Sequence, residues 1–192
     1  MRNNKKAEKT RTKIMDTFVA LCLRRPEPIP NVSEVCVEMD IYRGTFYNYF
    51  SGIQELVEVM SNEESQNHNL LYESLVQMKW GSESDIQLAK VPFRKMLENV
   101  SNHRDRMVVL MCPDYDFPYR KTNLKMVYQV IYTMLKAFPE QQRHYVAVYS
   151  SEGIVRGVYE WLCKQDMTLD EFTEFFFNLT IESLQQLHKI AN

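Results

Sequence analysis

Apolar residues recur along this chain at the spacing of a helix, and nowhere do they alternate for long at the spacing of a strand. Ile14, Phe18 and Leu21 stand at i, i+4 and i+7, with Met15, Val19 and Cys22 beside them. That is one apolar stripe on a helix from about residue 6 to 24. The same periodicity predicts helices over about 31–39, 42–50, 52–78, 91–102, 105–111, 119–137, 140–164 and 169–190. The fold class is therefore all-α, with about nine helices. Five Gly and seven Pro among 192 residues are too few for a turn-dense β fold, and 45% apolar residues are ample for a core.

Local signals set the boundaries. Pro26, Pro28 and Pro30 stop the first helix, because a residue preceding proline avoids the α region. Asn31 with Glu34 reads as a capping box, and so do Ser51 with Gln54 and Thr168 with Glu171. Trp80 to Asp85 reads as a loop, with Pro92 in the first turn of the helix after it. Ser61 to Asn69, inside the long fourth helix, has no apolar residue; such a stretch is expected to be exposed or to span between packed bodies.

Charge is unevenly placed. Residues 1–25 carry eight bases against two acids, and the remaining 167 carry 15 against 23, for a net charge of -2. A basic end on an acidic body suits contact with a polyanion at that end and excludes a uniformly basic coat. The basic start followed by Ile14 to Leu23 mimics a secretion signal, but Asp16 interrupts the apolar run and no small-residue cleavage site follows. No apolar stretch approaches the roughly 18 residues that span a membrane. Cys22, Cys36, Cys112 and Cys163 are dispersed, as are His68, His103, His144 and His188. Neither set has metal-ligand spacing, so no metal and no cofactor are expected. Two disulfides are arithmetically open, but a reducing cytoplasm fits the other features better.

Three short helices with a tight turn near Met39-Asp40-Ile41 form a helix-turn-helix candidate. A recognition helix must be slim and partly polar to enter a major groove about 12 Å wide. It also needs a large apolar inner face to hold it on its neighbours. Phe46 and Phe50, at i and i+4, supply that face, leaving Arg43, Thr45, Tyr47 and Asn48 outside. Gly44 leaves room for close approach to a sugar-phosphate backbone.

At these residues the sequence resembles the TetR/AcrR family of bacterial transcription regulators. The stretch from Val32 to Leu56, VSEVCVEMDIYRGTFYNYFSGIQEL, is similar to that family's DNA-binding signature, most specifically in G-T-F-Y-x-Y-F at Gly44 to Phe50. RTKIMDTFVALCL, just upstream, is similar to its first helix. The resemblance implies a DNA-binding domain over 1–52, with its recognition helix at about 42–50, and a helical regulatory and dimerisation domain over 53–192. It implies DNA contacts from Tyr42, Arg43, Gly44, Thr45, Tyr47 and Asn48, with Lys9 and Arg11 of the basic first helix beside them. Three positions depart from the pattern: Asp40 replaces the usual turn Gly, Tyr42 the usual Ser, and Ile53 the usual Lys.

The helix at 140–164 is apolar on several sides, which requires burial on more than one face. A second subunit would provide one, giving an isologous four-helix interface. Its candidate residues are Tyr149, Gly153, Val155, Gly157, Trp161, Phe172, Phe176 and Leu179, and Leu184 and Leu187 extend the last helix's apolar face. Glu152 and Arg156 are spaced for a local ion pair. Candidate lining for a deformable apolar pocket is Trp80, Phe93, Met96, Met111, Tyr115, Phe117, Met126, Tyr128 and Tyr132. The expected protein is a cytoplasmic, homodimeric repressor of a palindromic operator, released by a small apolar or aromatic effector. The alternative is a co-regulator of the same fold that acts through protein contacts. No nucleophile–base pair, phosphate loop or metal set supports an enzyme, and no membrane partner is expected.

Overall fold

The structure is a computed structural model that describes residues 2–25, 28–80, 82–136 and 138–184. The described residues form helices and no strand. In order these are α1 (Arg2–Arg24), α2 (Val32–Met39), α3 (Arg43–Tyr47), α4 (Ile53–Gln77) and α5 (Glu83–Asn102). They are followed by α6 (Arg104–Met111), α7 (Pro118–Met134), α8 (Glu140–Lys164) and α9 (Leu169–Phe177), which runs into a π turn over Asn178–Glu182. The expected end of the last helix, with Leu187, lies outside the described residues, as does Pro26.

The N-terminal head is built on α1. Ile14, Met15, Phe18, Val19 and Cys22 are buried, as the stripe predicts. They meet Val35 and Cys36 of α2, and α1 also packs on α6. Burial pushes the Cys22 thiol up to about 12, so it behaves as a small inert apolar group. All four cysteines are free. The body is formed by α4 packed on α5 and α7, α7 on α8, and α5 on α9. Helix α6 touches α1, α7 and α8, and so joins head to body.

Several local expectations need correction. Helix α5 begins eight residues before Val91, because Ser82 and Asp85 form a reciprocal capping box. Pro92 therefore lies inside the helix, where it has no N–H to offer the Leu88 carbonyl, on a face that is open to solvent. Ser51 and Gln54 do not cap α4: the N-cap is Gly52, and Glu55 Oε2 accepts the Ser51 N–H at 2.6 Å. The polar middle of α4 is exposed at Asn62, Gln66, Asn67 and Asn69 but buried along one stripe. Ser61, Glu64 and His68 are buried and continue the stripe of Leu56, Val57 and Met60 toward Tyr72 and Leu75. Glu152 pairs with Arg120 at 3.0 Å and Arg156 with Glu160 at 2.6 Å, in place of the expected pair.

Candidate nucleic-acid interface and internal cavities

The turn between α2 and α3 follows from two caps. The Asn31 side chain accepts the N–H groups of Ser33 at 2.9 Å and Glu34 at 3.2 Å, and Glu34 Oε2 accepts the Asn31 N–H at 2.9 Å. This N–H, with Arg25 beside it, holds the Glu34 carboxyl below its ordinary pKa. At the other end Asp40 takes the left-handed conformation, φ 53° and ψ 51°. Its N–H donates to Val37 O, and Ile41 N–H donates to Cys36 O at 3.0 Å. Asp tolerates this region better than most residues. Tyr42 caps α3 in an extended conformation with no side-chain hydrogen bond.

Phe46 and Phe50 are buried with ring centroids 5.9 Å apart and anchor α3 to the head. The opposite side is open: Tyr42 is 89% exposed and Tyr47 53%, and Arg43, Gly44 and Asn48 are exposed while Thr45 is half-buried. A methyl group placed on Gly44 would meet no other atom within 4 Å. Two candidate bases are partly engaged within the chain. Arg43 donates to Ser33 Oγ in the first turn of α2. Arg11 pairs with Glu8 at 3.4 Å and with Glu63 of α4 at 2.8 Å, with its guanidinium 5.8 Å over the Phe50 ring. Lys9 is exposed. Ile53, where the resembling family has Lys, packs on the core.

The candidate pocket residues divide. Trp80, Phe93 and Met96 line a cavity of about 40 Å³, and Phe93, Met96 and Met111 line an adjoining one of about 50 Å³. Both are far below the several hundred Å³ of a typical ligand pocket. Tyr115 and Phe117 are buried against each other, centroids 4.9 Å apart, and line neither cavity. Met126, Tyr128 and Tyr132 line neither. Tyr128 stacks on Tyr132, and Arg143 lies 4.1 Å over the Tyr132 ring. Sequence reasoning missed His68, Tyr72, Tyr119 and Asn123, all on the wall of the larger cavity. Their signal was the polar spacing of α4 at Ser61, Glu64, His68 and Tyr72, which continues its buried stripe.

The candidate interface residues divide as well. Val155, Trp161, Phe172 and Phe176 are buried within the chain. Trp161 stacks on Phe172 at 4.4 Å and Phe172 on Phe176 at 4.7 Å. Gly157 lies under Phe176, so these faces are occupied internally. Tyr149, Gly153 and Leu179 remain exposed, Tyr149 at 83%. Tyr145 and Tyr149 at i and i+4 on α8, and Phe175 of α9 with Leu179 of the π turn that continues it, leave apolar stripes open.

Among the described residues no group of His, Cys, Asp or Glu could hold a metal ion, and no helix is long and apolar enough to cross a membrane.

Among the described residues the architecture is all-α. Among solved structures it is similar to the dihydroxyacetone kinase operon activator DhaS, with a TM-score of 0.56 and 16% identity over 92% of this chain and 96% of that one. At that identity the likeness is one of fold. No family model matches the sequence, and no curated protein matches it.

Proposed function

We propose that the protein is a cytoplasmic, DNA-binding transcription regulator of the TetR type. It acts as a homodimeric repressor that a ligand releases from a palindromic operator. The observation that carries this reading is α3: a short helix pinned by Phe46 and Phe50, with Tyr42, Arg43, Gly44, Tyr47 and Asn48 on its open side. Residues 1–52 form the reading head and 53–192 the regulatory body. The open stripes of α8 and α9 supply the surface for a second subunit. A two-fold axis would set two recognition helices about 34–36 Å apart, one turn of DNA. The similar fold of a protein named as an operon activator supports a regulator; repression is the sign proposed here.

Selection of bound fragments from genomic and random duplex pools tests this reading. A two-fold symmetric enriched site is expected, and a reporter under that site should rise when the protein is removed. A fall on removal would reverse the sign.

A second reading, a co-regulator acting through protein contacts, is favoured by one observation. Arg11 and Arg43 are partly engaged within the chain and offer less charge to phosphate. Failure of any duplex to enrich, together with a co-purifying protein partner, would select it.

A further inference from the structure

Four buried side-chain atoms lack a hydrogen-bond partner among the described residues: Ser61 Oγ, His68 Nε2, Trp80 Nε1 and Arg143 Nε. Two of these belong to residues on the walls of the adjoining cavities. His68 lines the larger and Trp80 the smaller, and Phe93 and Met96 line both. An unpaired polar group inside a protein is destabilising. Two on the walls of adjoining cavities mark where something else supplies the partner.

The chemistry of that partner follows from the wall. No Asp, Glu, Lys or Arg lines either cavity. His68 is 2% exposed, and burial lowers its pKa against the opposing pull of Glu64, so the ring is neutral. Its Nδ1 lies 2.9 Å from the Tyr119 hydroxyl. Burial raises the Tyr119 pKa well above the ordinary phenol value, so that hydroxyl keeps its proton. That buried O–H is satisfied by donating to Nδ1, its hydrogen-bond partner, which leaves the imidazole proton on Nε2 as a donor. Trp80 Nε1 is a donor only. Both orphans therefore require an acceptor. A carboxylate would be buried without a counter-charge and close to Glu64, whereas a carbonyl oxygen meets the requirement. The volumes suit a short chain, and the unbranched side chain of Met96, between the two cavities, can re-pack to join them.

We propose that His68 Nε2 is the hydrogen-bonding contact for a small uncharged ligand with a carbonyl oxygen and an apolar remainder lying along Phe93 and Met96. This deepens the regulator reading, in which the ligand is the effector. His68 lies one helical turn from Glu64, which is 1% exposed. Glu64 is held by His103 at 3.0 Å and Arg106 at 3.2 Å. Arg106 also reaches Glu63 at 3.1 Å, and Glu63 holds Arg11 of α1 at 2.8 Å. A ligand that reorients His68 acts on the first link of this chain to the head.

The test uses the purified full chain and three probes of one shape: 2-pentanone, 2-methyl-1-pentene, which lacks the acceptor, and butyrate, which carries a charge. Binding is followed by tryptophan emission and ligand-observed NMR. The ketone should bind at least about tenfold more tightly than either of the others. His68→Phe should erase that preference and keep binding of the alkene. Tyr119→Phe, which keeps the ring and frees His68 Nδ1, should reduce the preference and serves if His68→Phe melts too low. Equal affinities, no binding of the ketone, or a preference that survives both substitutions overturns the proposal. None of these measurements involves DNA. A protein that prefers the ketone but enriches no duplex keeps the site and loses the regulator reading. One that enriches a duplex without that preference does the reverse.

Discussion

Arg11 of α1 donates to Glu63 of α4 at 2.8 Å across 52 residues of chain, and Glu63 also accepts from Arg106. The pair ties the first helix of the head to the helix that leads into the body. It also gives two bases of the basic N-terminal segment different tasks. Lys9 is exposed and can neutralise a phosphate, whereas Arg11 is engaged internally. Lys9→Met should therefore reduce the slope of log affinity against log salt by about one. Arg11→Met should leave that slope nearly unchanged and lower stability by about 0.5–1 kcal/mol, since the pair is partly solvated. Salt titrations of both variants on one duplex, with their thermal melts, check this. An equal drop in slope for Arg11→Met would place that residue on DNA.

Gly44 offers a separate probe of the same face. No atom of the chain lies within 4 Å of where its methyl would stand. Alanine there should stabilise α3 by up to about 1 kcal/mol. If the duplex backbone passes close by, Gly44→Ala should nevertheless weaken DNA binding, while Tyr47→Ala weakens it by about 1–3 kcal/mol. Kd values measured beside melting curves separate the two effects. Unchanged affinity for both variants would remove α3 from the interface.

The Asn31 cap sets where α2 starts, and through it the angle at which α3 is presented. Asn31→Ala should destabilise the protein by about 1 kcal/mol. The reciprocal bond has an acid dependence. Glu34 has a lowered pKa when folded, so on acidification the unfolded chain takes up this proton first. Its contribution is complete above the ordinary carboxylate range, about 4.3, and is lost as pH falls through the lower folded value. Denaturant melts between pH 6 and about 3 should show a shallower acid loss for Glu34→Gln than for the parent. Parallel curves would mean that the bond contributes nothing.

Much of this was legible in the sequence because it is local. The stripe of Ile14, Phe18 and Cys22, the Asn31 and Thr168 caps and the Phe46–Phe50 anchor each depend on residues within about one helical turn, and each is present. What was not legible is what tertiary partners decide. Ser61 to Asn69 read as exposed or as spanning between packed bodies, yet Arg106, His103 and Tyr119, from elements 39–51 residues distant, bury and pair Glu64 and His68. The same holds for Trp161, Phe172 and Phe176. An apolar helical face looks alike in sequence whether it meets a second subunit or a neighbouring helix of its own chain.

Gly157 shows how tight that internal contact is. A methyl group added there would lie 2.5 Å from Phe176 Cζ. Gly157→Ala should destabilise by about 1–2 kcal/mol, overpacking outweighing the gain in helix propensity. Replacing the ring relieves the clash, so Phe176→Leu should cost less in the Gly157→Ala background than in the parent, a coupling that a double-mutant cycle reads directly. Additive effects would mean that the two residues do not meet. Gly153, which has nothing within 4 Å, should accept alanine without loss of stability; a fall in dimer affinity alone would assign it to the subunit contact.

His68 gives the body a pH dependence distinct from that of the carboxylates. Burial lowers its folded pKa below the ordinary imidazole value, with Glu64 opposing and His103 adding to the shift. As pH falls past about 6.5 the unfolded chain binds the His68 proton while the folded chain does not, so stability declines. The contribution is complete above that pH and is lost down to the folded pKa, with a slope of at most about 1.4 kcal/mol per pH unit. His68→Phe should flatten the stability curve between pH 7.5 and about 5.5. If instead the parent gained stability on acidification, Glu64 would be holding His68 protonated. Nε2–H and Nδ1–H would then both be donors, and a carboxylate ligand would displace the ketone as the preferred probe.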